Sequence, residues 1–432
     1  MKNHLLFVVL SSVIVACGST VVEAPVTTPP PAEEPAPVDP TPVTPAKPPL
    51  DHGSVSTKYP AFAPAMGRLA NNGGSVLYNP VIVTVTWGGD PKVDELEALG
   101  DQLGTSPYWK ATTSEYGTLG ATSGEANHVR LPDAPPASMS DSELQAFVVA
   151  NVASGTFPTP ATGEPIYILH LQKATQLLLD GKSACSQGVG GYHDSTTAGG
   201  KNVAYAIVPR CGSGFESVTV SASHELAEAA TDPYPRTRPA WTGFHIDDLA
   251  WEFFQQFQSE NGDACEFYRD SDLSPGVESG LAVTVQRSWS NKSALAGHDP
   301  CVPAFANTVF FNTTPIDLED IDVDLSALGG HVVTTKGYQV PVGATRTIPL
   351  GLYSDGPIGA WTIKAVTGGI AGGAKSGVDL ELDTESGQNG QKAYLTVTVN
   401  TAGRTGSELI TIVSTRGGAS HYMPILIGSP EK

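Results

Sequence analysis

The stretch Ser221-Ala-Ser-His224-Glu225-Leu-Ala-Glu228-Ala-Ala-Thr-Asp232-Pro233 decides how the chain is read. Ala222, Leu226, Ala227, Ala229 and Ala230 are good helix formers, with Val218 and Val220 just ahead of them. Asp232-Pro233 supplies a stop, because the residue before a proline is pushed out of the helical region. A short, buried helix is predicted. Residues four apart share a helix face, so His224 and Glu228 can close on one ion while Glu225 points at its edge.

A metal needs imidazole nitrogen and carboxylate oxygen donors held rigidly, and a carboxylate beside it can take a proton from water. The motif reads H-E-x-x-E rather than the better-known H-E-x-x-H, so the second imidazole is missing. An ordinary solvated helix face would carry Lys, Arg or Gln around these groups. Here the neighbours are apolar or small, and three polar groups sit in a stretch that otherwise wants burial.

At the N-terminus, Met1-Lys2-Asn3-His4 is followed by an apolar run from Leu5 to Val15 and then Ala16-Cys17-Gly18. This is the pattern of a secretory signal, too short for a spanning helix. Ile14-Val15-Ala16-Cys17 resembles the bacterial lipobox, which implies lipidation of Cys17, and Gly18 in place of Asp implies export to the outer membrane, facing either the periplasm or the outside. Residues 18–50 are dominated by Pro, Thr, Ala, Val and Glu, which cannot bury enough surface to fold, so they are expected to form a disordered tether. No other stretch is long and apolar enough to cross a bilayer.

The net charge of −20 argues against a nucleic-acid partner, since a phosphate backbone wants a basic footprint. Setting Cys17 aside leaves Cys185, Cys211, Cys265 and Cys301, an even number for an exported chain. Three pairings are open. Sequence order favours Cys185 with Cys211 and Cys265 with Cys301, and none has the close spacing of a cysteine zinc site.

Taken in order, Val81-to-Trp87 reads as a buried strand, Val93 to Leu103 as an amphipathic helix, and His128-to-Leu131 as an extended edge. Ser140-Asp-Ser-Glu143 is a capping box opening a helix through about Val152. Ile166-to-Leu171 and Val203-to-Cys211 are further strands; His170 is expected to pack rather than to ligate. Ser114-to-Gly117 reads as the end of a loop. Strand followed by helix suggests an α/β or α+β layer, and an α+β domain is expected over residues 51–306.

A metal on His224 and Glu228 needs a third donor. Glu260, in Glu260-Asn-Gly-Asp-Ala-Cys265, is favoured; Asp263 is an alternative ligand or a group orienting His224, and His245 is the rival. His193, after the glycine-rich Cys185-Ser-Gln-Gly-Val-Gly-Gly191-Tyr192, is either a site residue, steadying an oxyanion, or a structural polar group.

From about Asn307 the texture changes. About seven short runs, from Val332 to Ile427, alternate or are apolar and are separated by Gly- and Asn-rich turns, which describes an immunoglobulin-like β-sandwich over 307–432.

With these pieces assembled, the region from Val76 to Cys265 resembles the exordium or phosphate-induced protein family and its bacterial relatives. The Val81-to-Trp87 strand, Trp109 through Tyr116-Gly117, Ile166-to-Leu169, Cys185 with Gly191-Tyr192-His193, the His224 helix through Pro233, Trp241 and Glu260-to-Cys265 carry the likeness. Asn261 and Gly262 stand where those relatives usually carry an apolar and a small residue. The resemblance implies a zincin-like fold; the plant members are cell-wall growth proteins rather than established proteases. The expected function is a surface-anchored, zinc-dependent, peptidase-like hydrolase with His224, Glu228 and Glu260 on Zn²⁺ and Glu225 activating water. The alternative is a non-catalytic surface protein with a structural or vestigial metal site, the sandwich docking to polysaccharide or protein.

Overall fold

A computed structural model describes residues 49–212, 214–257, 259–369, 376–403 and 405–430. The expected signal, Cys17 and nearly all of the tether lie outside them. Among the described residues no helix is long and apolar enough to cross a membrane.

The first unit is built on a five-stranded sheet. In chain order its strands are β1 (Pro80–Thr86), β2 (His128–Arg130), β3 (Glu164–Leu171), β4 (Tyr192–Ala198) and β5 (Lys201–Pro209), arranged β2-β1-β3-β5-β4. All neighbours run parallel except the edge strand β4, which pairs antiparallel with β5. A mainly parallel sheet must be covered on both faces, so its strands read as unbroken apolar runs rather than as alternation. Along β3, Ile166 and Ile168 face one layer, made by α1 (Val93–Leu103), α2 (Pro107–Thr113) and α4 (Glu216–Thr231). Tyr167, Leu169 and Leu171 face the other, which carries Leu144 and Val148 of α3 (Asp141–Ser154). The domain thus mixes α and β as expected, but in three layers with crossover helices. The predicted loop before Gly117 is in fact the end of α2 followed by a turn of 3₁₀-helix. Pro107 at its first turn and the Ser106 side chain, which accepts from the Trp109 N–H at 3.0 Å, start that helix.

Both sequence-ordered disulfides are present, Cys185–Cys211 and Cys265–Cys301. His170 packs, as anticipated. Its ring is 2% exposed, its Nδ1 has no hydrogen-bond partner among the described residues, and burial, aided by the Arg210 charge, pushes its pKa down to about 3. The folded value lies below the unfolded one of about 6.5, so between those pH values the unfolded chain binds more protons. The stability His170 contributes is complete above about pH 6.5 and is lost as pH falls toward 3. Urea midpoints at pH 7 and 4.5 should therefore converge in His170→Gln relative to the unaltered protein. An equal drop in both would show that His170 titrates normally.

The second unit is a sandwich. Strands β6 (Phe311–Pro315), β7 (Glu319–Asp324), β8 (Val332–Gln339), β9 (Thr345–Ser354), β10 (Trp361–Thr367), β11 (Val378–Leu382), β12 (Ser386–Gly387), β13 (Lys392–Val399), β14 (Ser407–Arg416) and β15 (Ala419–Gly428) form two sheets, ordered β6-β9-β13-β11 and β7-β8-β15-β14-β10-β12. This is the ABED-over-CFG strand order of an immunoglobulin sandwich, with the β7–β8 hairpin added beside the last strand. The seven expected strands are all there; β6, β7 and the two-residue β12 are additional. In β13, Ala393, Leu395, Val397 and Val399 point inward and alternate with exposed or half-buried residues, the period of a strand with one wet face.

The boundary expected at residue 51 falls elsewhere. Segment 51–65 lies along the sandwich: Ser56 N–H donates to the Asn389 carbonyl at 2.8 Å, Ala65 N–H to Thr314 Oγ1 at 2.9 Å, and Phe62 covers Gly351, where a Cβ would come within 2.5 Å of its ring. From Met66 onward the chain enters a core shared by both units, in which Trp251 and Trp289 stack edge-to-face at 5.1 Å and Phe254 meets Tyr422 at 5.5 Å. Burial of such large aromatic surfaces between the units is what joins them.

Candidate metal centre

Helix α4 extends from Glu216 to Thr231 and ends at Asp232, whose backbone has left the helical region just before Pro233. Its Ala222, Leu226, Ala229 and Ala230 pack on the sheet, so the opposite side turns His224, Glu225 and Glu228 toward a cleft of about 610 Å³. One wall is the glycine-rich run that leads into β4, and the floor beyond the helix is the Glu260-to-Asp263 loop. None of the described residues lining the cleft is Lys or Arg, whereas Glu225, Glu228, Glu260, Asp263, Glu266 and Asp272 all line it.

Glu228 sits at the middle. Its Oε1 accepts the backbone N–H groups of Gly262 and Asp263 at 3.0 and 3.1 Å, which aims Oε2 into the cleft. Oε2 lies 3.1 Å from His224 Nε2 and 3.4 Å from His193 Nδ1. Donors around a tetrahedral ion with bonds of about 2.0–2.1 Å are about 3.3–3.4 Å apart, so these separations suit joint ligation. His224 is held from behind: its Nδ1 meets Gln286 Oε1 at 3.0 Å, and the Gln286 amide nitrogen donates to the Gly262 carbonyl at 2.8 Å. Because that Gln286 oxygen can only accept, Nδ1 carries the proton and Nε2 offers its lone pair to the cleft.

The sequence-expected residues assort unequally. Glu260 reaches the cleft, but it groups within 4.8 Å with His193 and Glu228, while His224 groups with Glu225 and Glu228, so the set His224, Glu228 and Glu260 does not form one tight cluster. The 32-residue separation of Glu260 from Glu228 places the loop rightly and says nothing about which imidazole it faces. His193 is not free to steady an oxyanion. Its ring is buried, with Nε2 3.2 Å from the Asp232 carbonyl and 3.4 Å from Glu260 Oε2, and Nδ1 3.5 Å from Glu225 Oε2. It brings a second imidazole to the cleft, from β4. Asp263 Oδ1 comes within 3.6 Å of His224 Nε2 while its other oxygen accepts the Glu260 N–H at 3.1 Å. His245 does not line the cleft; it is exposed and pairs with Asp247 and Arg68, so the rival ligand falls away.

With protons as the only cations, the electrostatics are extreme. Burial alone would lower the pKa of His193 and His224, but Glu260, Glu225 and Glu228 around the first and Glu228 and Glu225 around the second hold both well above the ordinary range. Burial raises Glu225 and drives Glu260 far up, while Glu228, despite its burial, is held below the usual carboxylate range by His224 and His193. Glu260 Oε2 is buried with no hydrogen-bond partner among the described residues. Clustered buried carboxylates are costly to ionise without a counter-charge, and a divalent cation is a partner that this set of nitrogen and oxygen donors fits.

Three residues that the motif did not flag complete the site. A Cβ on Gly191 would come 2.7 Å from Glu225 Oε1, and one on Gly262 would come 2.8 Å from Glu228 Oε1 and 2.9 Å from His224 Nδ1. Gln286 lies 62 residues beyond His224 with no local signal. Gly262→Ala keeps an allowed backbone yet displaces both donors. It should weaken metal binding about 10–100-fold, read by chelator competition; unchanged affinity would show that His224 and Glu228 do not bind an ion together.

No protein-family model matches the chain, and no curated protein matches it. Among solved structures, it aligns with titin M4 at 14% identity, covering 22% of this chain and 86% of that one with a TM-score of 0.16. It aligns with the complex of titin M10 and obscurin-like 1 Ig at 16% identity, 22% and 86% coverage and a TM-score of 0.15. A chimeric titin Z1Z2 carrying a decorin peptide aligns at 10% identity over 27% of this chain and all of that one, TM-score 0.16. At such scores these likenesses carry nothing further about the protein.

Proposed function

We propose that the protein is a metal-dependent hydrolase of peptide-like substrates, with a zincin-like first unit, exported and held at the bacterial outer membrane through Cys17. The exordium-like motif set and the signal pattern support family and location. The observation that carries the chemistry is Glu228, whose Oε2 is aimed by two backbone N–H groups to stand 3.1 and 3.4 Å from two imidazole nitrogens.

His224 with Glu228, and His193 with Glu228 and Glu260, are the groups that would hold divalent metal, and Zn²⁺ suits their nitrogen and carboxylate donors. Such an ion, when bound, supplies Lewis acidity to a substrate carbonyl and to water beside it. The chain supplies the rest. Glu225 follows His224 on the helix and faces the same cleft, where burial lifts its pKa above the ordinary carboxylate value and so makes it a better proton acceptor. Gly191 leaves room for that carboxylate. Gln286 keeps His224 in the tautomer that faces inward. The acidic rim of Glu266 and Asp272 beside the exposed Phe267 repels anionic substrates and favours neutral or basic peptides.

Metal analysis of the purified full-length chain, followed by casein or peptide digestion with and without a chelator, tests this. Bound divalent metal and chelator-sensitive cleavage are expected. A metal-free protein that cleaves nothing after Zn²⁺ or Mn²⁺ is supplied would leave a non-catalytic surface protein.

A further inference from the structure

The two imidazoles belong to different donor groups. His193 clusters with Glu228 and Glu260, and His224 with Glu225 and Glu228; Glu228 alone is common to both. We propose that the cleft binds two divalent cations side by side, bridged by the Glu228 carboxylate, one on the His224 side and one among His193, Glu228 and Glu260. This deepens the hydrolase reading and rests on it for chemistry, but its stoichiometry is tested independently.

Three observations carry it. First, Glu228 Oε1 is occupied by the Gly262 and Asp263 N–H groups, so Oε2 alone faces both imidazoles, at 3.1 and 3.4 Å, the place of a bridging oxygen. Second, each imidazole is held in a tautomer that presents a lone pair to that oxygen. Gln286 fixes the His224 proton on Nδ1, and the Asp232 carbonyl, 3.2 Å from His193 Nε2, fixes the His193 proton there and leaves Nδ1 turned to Glu228. Third, each side has a further carboxylate within reach: Glu260, one of whose oxygens lies within 4.8 Å of donor atoms of both His193 and Glu228, and Asp263 Oδ1, 3.6 Å from His224 Nε2, on the other side.

The charge of the cleft points the same way: six carboxylates, Glu225, Glu228, Glu260, Asp263, Glu266 and Asp272, line it and no described Lys or Arg does, more negative charge than a single dication offsets. Paired ions sharing a carboxylate are a known means of stabilising both the attacking and the leaving oxygen in hydrolysis. Glu225, beside both positions, remains the proton carrier.

The test is calorimetric titration of the full-length, chelator-stripped protein with Zn²⁺, with elemental analysis of the loaded sample. About two equivalents are expected, falling to one in His193→Ala and in His224→Ala, and staying at two in His245→Ala. The Mn²⁺-loaded unaltered protein should show an exchange-coupled electron paramagnetic resonance spectrum, which needs no variant to fold. One equivalent and an uncoupled spectrum overturn the two-ion site while leaving a chelator-sensitive hydrolase intact. No bound metal, with no chelator-sensitive cleavage, overturns the hydrolase reading itself.

Discussion

Glu225→Gln is expected to slow hydrolysis by about 10²–10⁴-fold, the usual contribution of a positioned proton acceptor, while leaving bound metal unchanged. The amide has nearly the shape of the carboxylate, so it fits against Gly191, where no larger residue could stand. It cannot take a proton. Glu225 is 5% exposed and its carboxylate faces the cleft beside His193 Nδ1 at 3.5 Å, so the loss is local to the reacting centre. Rates on a peptide substrate, set against metal content and melting temperature, separate the roles. A metal-loaded, stable variant that cleaves at the original rate would remove Glu225 from the chemistry.

The largest effect on stability is expected from Cys265→Ala combined with Cys301→Ala, at about 2–5 kcal/mol. The bridge closes a sequence separation of 36 residues, and both cysteines are buried in the core that the two units share. It also ties the helix α5 (Asp263–Glu266) to Cys301, and α5 begins at Asp263, one of the two residues whose N–H groups hold Glu228 Oε1. Metal affinity should therefore fall along with the unfolding temperature. The corresponding change at Cys185 and Cys211, which are exposed and anchor the glycine-rich wall, should chiefly loosen that side of the cleft. Scanning calorimetry with and without Zn²⁺ checks both. A Cys265/Cys301 variant that melts and binds metal unchanged would show that packing alone holds the loop.

Helix α4 was legible because its signals are local: alanine-rich composition, four-residue spacing of His224 and Glu228, and a proline stop. The sandwich strands were legible through their two-residue period and turn residues. The loop with Glu260 and Asp263 was placed by the order of motifs. Two things were not legible. The strap at 51–65 carries no marker of which unit it joins, because its partners, Asn389 and Gly351, lie some 300 positions away and act through backbone hydrogen bonds and a missing Cβ. Gln286 was invisible because an amide has no motif of its own, and its value lies in meeting one imidazole nitrogen.

By itself, then, the sequence marked most of the elements, favoured the disulfide pairing that the structure has and pointed to most of the groups that gather at the cleft, since periodicity, capping and cysteine order are properties of neighbours along the chain. Only the tertiary structure decided which imidazole faces which carboxylate. His193 on an edge strand brings a second imidazole to the cleft, His245 is left on the surface, and Glu228 is turned by two loop N–H groups toward both rings. Those relations depend on how a sheet edge, a helix and a loop approach one another in space, and distance along the chain does not encode them.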